Sequence, residues 1–218
     1  MSVALQVVEL DKSFVRGSVR VHAVRGVSFA LQAGEVVGLT GPSGSGKTTL
    51  LNVLCGWERP DGGVMRFADG EEASPAALMW HRIAIVPQDL ALFEELTIGD
   101  NVRLPIRLGG GDGPPDDEVD ALMDQLGILH LAPRLPLEAS LGEQQRASLA
   151  RAMVLRPSLL LADEPTGHQD EGWTKAVMAA IRTLAESGTA CLVTTHDPDA
   201  MAFLDRQFAM RDGELRSG

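Results

Sequence analysis

Gly41–Thr48 reads GPSGSGKT, an instance of the pattern GxxxxGK[ST], and its reading decides the fold. Triphosphate oxygens need several backbone N–H groups at short range. Gly41, Gly44 and Gly46 let the chain turn tightly and approach without a Cβ in the way. Pro42, Ser43, Ser45 and Thr49 complete the expected binding segment. Lys47 brings a point charge for the β- and γ-phosphates, and Thr48 a hydroxyl for Mg²⁺. The flanks agree. Glu35–Thr40 (EVVGLT) reads as a buried strand, and Thr48–Leu54 (TTLLNVL) as a helix ending at Gly56. The phosphates then sit at a helix N-terminus, where unpaired N–H groups and the dipole favour anions. This strand–loop–helix setting separates GPSGSGKT from a chance Gly/Ser loop.

Composition frames that site. At 218 residues the chain suits one domain, or one domain with a small subdomain. A hydrophobic content of 44% supplies a core, while the absence of Tyr and the 4% aromatic content bear on no function. No run of about 18 apolar residues occurs, so no membrane-crossing helix is expected. The opening MSVALQVVELDKSF alternates like a strand and lacks the basic-then-apolar order of a secretory signal. Cys55 and Cys191 lie in apolar contexts and read as buried free thiols of a reducing compartment. A net charge of −11 argues against broad nucleic-acid binding, which wants a basic face. Triphosphate binding is unaffected, since one Lys and a nest of N–H groups act locally.

Strands alternate with helices along the chain. Val3–Leu10 and Val24–Leu31 read as strands joined at Arg16–Gly17–Ser18, and Ala33–Gly34 turns into the strand before the loop. Val64–Phe67 and Ile83–Pro87 are short strand candidates. Gly109–Asp117 (GGGDGPPDD) is a loop. Val119, Leu122, Met123 and Leu126 follow at helical spacing, stopped by Gly127. Ser140–Leu155 is another helix, stopped at Arg156–Pro157. Leu96 to about Arg156 therefore reads as a helical insert in a single domain spanning 1–218. Ser158–Ala162 is a continuous apolar strand of the buried parallel kind. Trp173, Val177, Ile181 and Leu184 make a helix ending at Gly188, and Ala190–Thr195 the next strand. Asp212–Gly213 is a hairpin turn. The expected fold is α/β with a mainly parallel sheet.

Further residues gain meaning from the loop. Leu159–Glu164 (LLLADE) is an apolar strand ending in two carboxylates. Asp163 is placed to hold Mg²⁺, usually through water, and Glu164 to orient or deprotonate the attacking water. Gln88 follows the extended Ile83–Pro87, and its amide is a candidate Mg²⁺ ligand; read alone it is a solvated loop glutamine. His196 follows a strand (CLVTTH), where a neutral imidazole reaches a γ-phosphate or the attacking water. Strand C-terminal ends are where ligands bind in open α/β sheets. His22, His81, His130 and His168 read as ordinary surface or loop residues. In Ser140–Arg146 (SLGEQQR), Ser140 and Glu143 make a capping box at a helix start. Such a start is also an anion site. The phosphate loop already has its own helix, so this second one is free to serve another nucleotide.

The order GPSGSGKT, Gln88, SLGEQQR, LLLADEPTG, Asp170, His196 resembles that of an ATP-binding cassette (ABC) ATPase, from about Val3 to Leu215. LADEPTG, Thr195–His196–Asp197 and the closing RDGEL are similar to the macrolide-exporter, lipoprotein-release and cell-division branch. The resemblance implies a phosphate-loop α/β core with an N-terminal antiparallel β subdomain and a helical subdomain. It implies hydrolysis of ATP with Mg²⁺. Phe14 matches the position that stacks on adenine. Lys47 and the loop bind phosphates; Thr48, Gln88 and Asp163 organise Mg²⁺; Glu164 activates water and His196 positions it. Ser140 and Gly142 match the signature that completes the site of a facing subunit, and Asp170 the loop aspartate that contacts it. The implied partners are a second ATPase subunit, as a homodimer or with another cassette, and a separate integral membrane permease docked near Gln88 and Leu90–Leu96 (LALFEEL). Its place is then the cytoplasmic face of the membrane, and no nucleic acid is involved. Two departures stand out. Leu141 replaces a signature glycine, which opens the alternative of a weakly hydrolysing, nucleotide-gated clamp or signalling module on a membrane partner. His168–Gln169 replaces the usual pair before Asp170.

Overall fold

The computed structural model describes residues 2–68, 70, 82–109, 113–167 and 169–217. A long hairpin comes first, β1 (Val3–Arg16) and β2 (Val19–Gln32), followed by β3 (Val36–Thr40), α1 (Lys47–Leu54), β4 (Gly62–Phe67) and β5 (Ile83–Val86). Three helices follow, α2 (Ile98–Gly109), α3 (Asp116–Gln125) and α4 (Leu141–Met153), with short 3₁₀ turns at Leu129–Leu131 and Pro136–Glu138. The chain ends with β6 (Leu159–Asp163), α5 (Glu171–Glu186), β7 (Ala190–Thr194), α6 (Pro198–Met201), β8 (Arg206–Arg211) and β9 (Glu214–Ser217). Among the described residues no helix is long and apolar enough to cross a membrane. The loop readings at His81, at His168 and within 110–112 lie outside the described residues.

The strands form two sheets. A three-stranded antiparallel sheet has the order β2-β1-β4, and a six-stranded sheet the order β5-β6-β7-β3-β8-β9. The larger sheet is parallel from β5 through β8, with β9 antiparallel at its edge. Period-two alternation explains its place between two layers. On β6, Leu160 and Ala162 join a core with the helices α2 to α5, while Leu159 and Leu161 face a second core with α1 and the smaller sheet. On β7, Cys191 and Val193 divide from Ala190 and Leu192 in the same way. A strand buried on both faces has no polar side, so LLLAD and ACLVT read as unbroken apolar runs.

Two boundaries differ from the sequence expectation. β1 and β2 run well past Leu10 and start well before Val24, closing on a turn at Gly17–Ser18. Their outer end carries Val15, Val19 and Val21, all exposed, so burial leaves no alternation there to read. The Asp212–Gly213 turn has strands on both sides, with Met210 paired to Leu215; both turn residues have positive φ, as a type I′ hairpin requires. Both cysteines are free and buried, and burial pushes the Cys55 thiol up to about 11 and the Cys191 thiol up to about 12.

Candidate functional site

The ends of four parallel strands converge. Leu39 of β3 and Asp163 of β6 both pair with Thr194 of β7, and Val86 of β5 pairs with Ala162. The segments after β3, β5, β6 and β7 therefore leave the sheet at one edge. Together with the outer part of the hairpin they enclose a cleft of about 900 Å³. Phe14, Gly41, Pro42, Ser43, Gly44, Gly46, Lys47, Thr48, Thr49, Gln88, Asp163, Glu164 and His196 all line it. Ser45 is the exception in the loop: its side chain is buried, its Oγ has no hydrogen-bond partner, and its N–H reaches Pro42 O at 3.2 Å. Ser140 and Gly142 do not line the cleft.

The start of α1 is shaped for an anion. Gly46 occupies the cap position at φ 108, no side chain caps the helix, and no acidic residue stands in its first turn. The first N–H groups thus lack an internal acceptor from a side chain, and the helix dipole adds positive potential. Gly46 is required twice over. Its φ lies in the left-handed region, and a Cβ there would collide with the Ala23 carbonyl oxygen of β2. Lys47 folds back on the loop, its Nζ donating to Gly41 O at 2.7 Å and Pro42 O at 3.2 Å.

Across the cleft floor the hydroxyls organise the carboxylates. Thr48 Oγ1 donates to Asp163 Oδ2 at 2.8 Å, and Thr194 Oγ1 donates to Asp163 Oδ1 at 2.6 Å. Thr194 Oγ1 also accepts from the Glu164 N–H at 2.8 Å. One threonine thereby holds both acidic residues. Glu164 sits at φ 50, a costly conformation for a residue with a Cβ, and such strain concentrates at working sites. Its Oε1 lies 3.3 Å from Nδ1 of His196, whose side chain is 84% exposed. Phe14 also lines the cleft, with Lys12 Nζ 5.0 Å from its ring centroid.

Sequence reasoning missed Thr194, whose only local signal is its place in the strand-end run TTH. It also missed Arg20, His22 and Arg25, which stand on the cleft wall with no motif to mark them. His22 is a strand residue there, its Nδ1 3.1 Å from Ser13 Oγ. His130 is exposed in a 3₁₀ turn, as expected.

The second anion-type helix start is elsewhere. Ser140 caps α4: Glu143 N–H donates to Ser140 Oγ at 3.4 Å, and Ser140 N–H and Oγ–H donate to Glu143 Oε2 at 2.8 and 2.7 Å. The Ser140 hydroxyl, then its N–H, hold the Glu143 carboxyl below its ordinary range. Leu141 next to it is exposed. Asp170 caps α5, its Oδ1 accepting from Trp173 N–H at 2.9 Å.

Comparison with known proteins agrees with this geometry. The ABC transporter family profile matches residues 24–167. The chain is 37% identical over 224 residues to the ABC transporter ATP-binding protein YxdL of Bacillus subtilis, covering 99% of this chain and 86% of that protein. It is 36% identical over 217 residues to the cell division ATP-binding protein FtsE of Escherichia coli K12, covering 96% of each. The dimeric ABC transporter cassette MJ0796 superposes with a TM-score of 0.89 at 27% identity, covering 98% of both chains. The same cassette, in a post-hydrolysis dimer bound to ADP and Pi, superposes with a TM-score of 0.87. The chain belongs to the ABC transporter family, as an ATP-binding and ATP-hydrolysing cassette of the branch that includes FtsE.

Proposed function

We propose that this cassette works as a head-to-tail dimer that sandwiches two ATP molecules and drives a separate membrane permease. The observation that carries the reading is a division of labour. One cleft gathers the phosphate loop, Asp163, Glu164 and His196, while Ser140–Glu143 lies outside it, with Ser140 and Leu141 exposed. A signature turn that cannot reach its own cleft has a use only at another. Within the cleft, Lys47 and the α1 N–H groups hold phosphates, and Phe14 offers its ring face to the base. Thr48, Gln88 and Asp163 are an all-oxygen donor set, which suits a hard cation such as Mg²⁺. Bound there, Mg²⁺ would offset the charge of the phosphates. Glu164 accepts the proton of the attacking water, and His196, beside it, steers that water.

An apolar groove supports the docking of a permease. It is lined by Trp57, Pro87, Phe93, Leu104 and Leu108, and Trp57, Phe93 and Leu108 are exposed. Its rim is rigid. Buried Arg151 donates to Ala91 O at 2.7 Å, and Asn101 clamps Phe93 through N–H to Oδ1 at 2.8 Å and Nδ2 to O at 2.9 Å. The groove begins beside Gln88, so a change in the cleft has a short path to whatever is docked. In this reading the whole chain is one cassette domain, with the helices of 96–156 as its insert, on the cytoplasmic face of the membrane.

The test is phosphate release by the full chain, alone and with its membrane partner, with Glu164→Gln as control. The variant is expected to lose turnover by about 10²–10⁴-fold and to accumulate as an ATP-bound dimer on size exclusion. The exposed Leu141 favours a second reading, a clamp that closes on ATP and hydrolyses little. If wild type releases phosphate no faster than Glu164→Gln even with the partner present, the clamp replaces the motor. Salt-dependent binding to DNA or RNA would revive a nucleic-acid role.

A further inference from the structure

We propose that Gln169 is a positioning residue that couples the chain's own catalytic carboxylate to the signature turn it offers to a facing site. Its amide is a hub. Nε2 donates to Gly142 O at 2.9 Å and to Gln145 Oε1 at 3.4 Å, and Oε1 accepts from Arg146 Nη1 at 2.7 Å. Gln145 in turn donates from Nε2 to Glu164 O at 2.7 Å. Two side-chain amides thus connect the backbone of Glu164 to the carbonyl of Gly142.

The surroundings make this link stiff. Gln145 and Arg146 are buried on α4. The Arg146 guanidinium stacks 3.8 Å from the centre of the Trp173 ring, and its Nε donates to Leu126 O at 2.8 Å. Trp173 in turn packs on Gly127 where α3 stops, so closely that a Cβ there would overlap the ring. Asp170, next to Gln169, is fixed as the cap of α5. Glu164 through its carbonyl, and Gln169 through both ends of its amide, are therefore tied to α4. Any rearrangement of Glu164 around its own nucleotide shifts Gly142 and Ser140, and a nucleotide gripped by Ser140 biases Glu164 in return. Coupling between sites is reciprocal in this way. The arrangement rests on the sandwich dimer proposed above.

The test is a steady-state ATP titration of the full chain, comparing wild type with Gln169→Leu and Gln169→Glu. Gln169→Leu keeps the volume and loses both halves of the amide. It is expected to bind a fluorescent ATP analogue like wild type, because Gln169 does not line the cleft. Its kcat is expected to fall about tenfold, with the Hill coefficient dropping from above one to one. Gln169→Glu keeps the acceptor for Arg146 but has no N–H for Gly142 O. It is expected to melt at the wild-type temperature and still lose cooperativity, which a packing role alone would not produce. Cooperativity retained in either variant, beside a cooperative wild type, overturns the coupling and leaves the dimer intact. A wild type that hydrolyses ATP without dimerising and without cooperativity overturns the sandwich and the coupling together.

Discussion

The first turn of α1 has a glycine at its cap, no capping side chain and no acidic residue. The first turn of α4 has Ser140 at its cap and Glu143 three residues on, joined by reciprocal hydrogen bonds. Among the described α-helices α1 alone lacks an acidic residue in its opening turn. A helix start without an internal anion is unfavourable unless something else supplies one. α1 is therefore organised around a phosphate held by its own chain. α4 is complete without one, so the chain tolerates an empty facing site. In the proposed dimer, a nucleotide facing it would draw the Ser140 hydroxyl from the Glu143 oxygen to a phosphate oxygen. In the proposed dimer, one site half is thus built for permanent duty and the other for intermittent duty.

The largest test falls on α1. Gly46→Ala drives a Cβ into the Ala23 carbonyl and imposes a positive φ on a residue with a side chain. The clash is with backbone and cannot be relieved by a rotamer. The expected loss is roughly 2–6 kcal/mol in urea denaturation, together with loss of ATP-analogue binding. Gly44→Ala is the control. It also has positive φ but opens onto free space, so it is expected to cost only ~1–2 kcal/mol. Equal losses at the two positions would mean that the start of α1 is not braced against the hairpin, and the contrast with α4 would weaken.

A smaller effect is expected at α4. Leu141 is 57% exposed, and in the proposed sandwich dimer it faces the partner's phosphate. Leu141→Gly leaves the chain's own cleft untouched, so the affinity of the monomer for ATP is expected to stay the same. Turnover of the dimer is expected to rise by about tenfold at most, below the 10²–10³ typical of a whole oxyanion donor, because the Leu141 N–H is already present. Unchanged turnover would show that the leucine side chain swings clear, and that the intermittent half already closes fully.

The same contrast marks what the sequence could reveal. GPSGSGKT, LLLADE and the Ser140–Glu143 pair are legible because each depends on neighbours within a few residues, and the two core strands because burial on both faces makes them continuously apolar. His196 was legible as a cleft residue from its strand end. Thr194 was not, since its role depends on a pairing to Asp163 that only the sheet register creates. Gln169 reads as a departure from a familiar pair, and its hydrogen bonds to Gly142 and Arg146 span 27 and 23 residues. The outer hairpin, with Arg20, His22 and Arg25, forms a cleft wall from exposed strand residues, and exposure removes the periodicity by which strands are read.

The smallest expected effect discriminates most finely, because it separates the structural duty of the α4 start from its duty to a partner. Ser140→Ala removes the hydroxyl that both caps the helix and holds Glu143. A lost cap of this kind costs about 0.5–2 kcal/mol. The Glu143 carboxyl is held low chiefly by the Ser140 hydroxyl and next by the Ser140 N–H. A carboxylate held low in the folded state stabilises it fully above the ordinary carboxylate value, and this stabilisation is lost as pH falls through the lowered value. The gap in urea stability between wild type and Ser140→Ala is therefore expected to be full at neutral pH and to shrink in acid. The N–H survives the substitution, so part of the hold on Glu143 remains. Turnover of the dimer should fall by more than this stability loss implies if the hydroxyl also grips a facing phosphate. Ser140→Thr keeps the hydroxyl and should restore both. A variant that loses stability with its pH dependence but keeps full turnover would leave the capping box as the whole duty of Ser140. The γ-phosphate contact would then fall to the backbone of Leu141 and Gly142 alone.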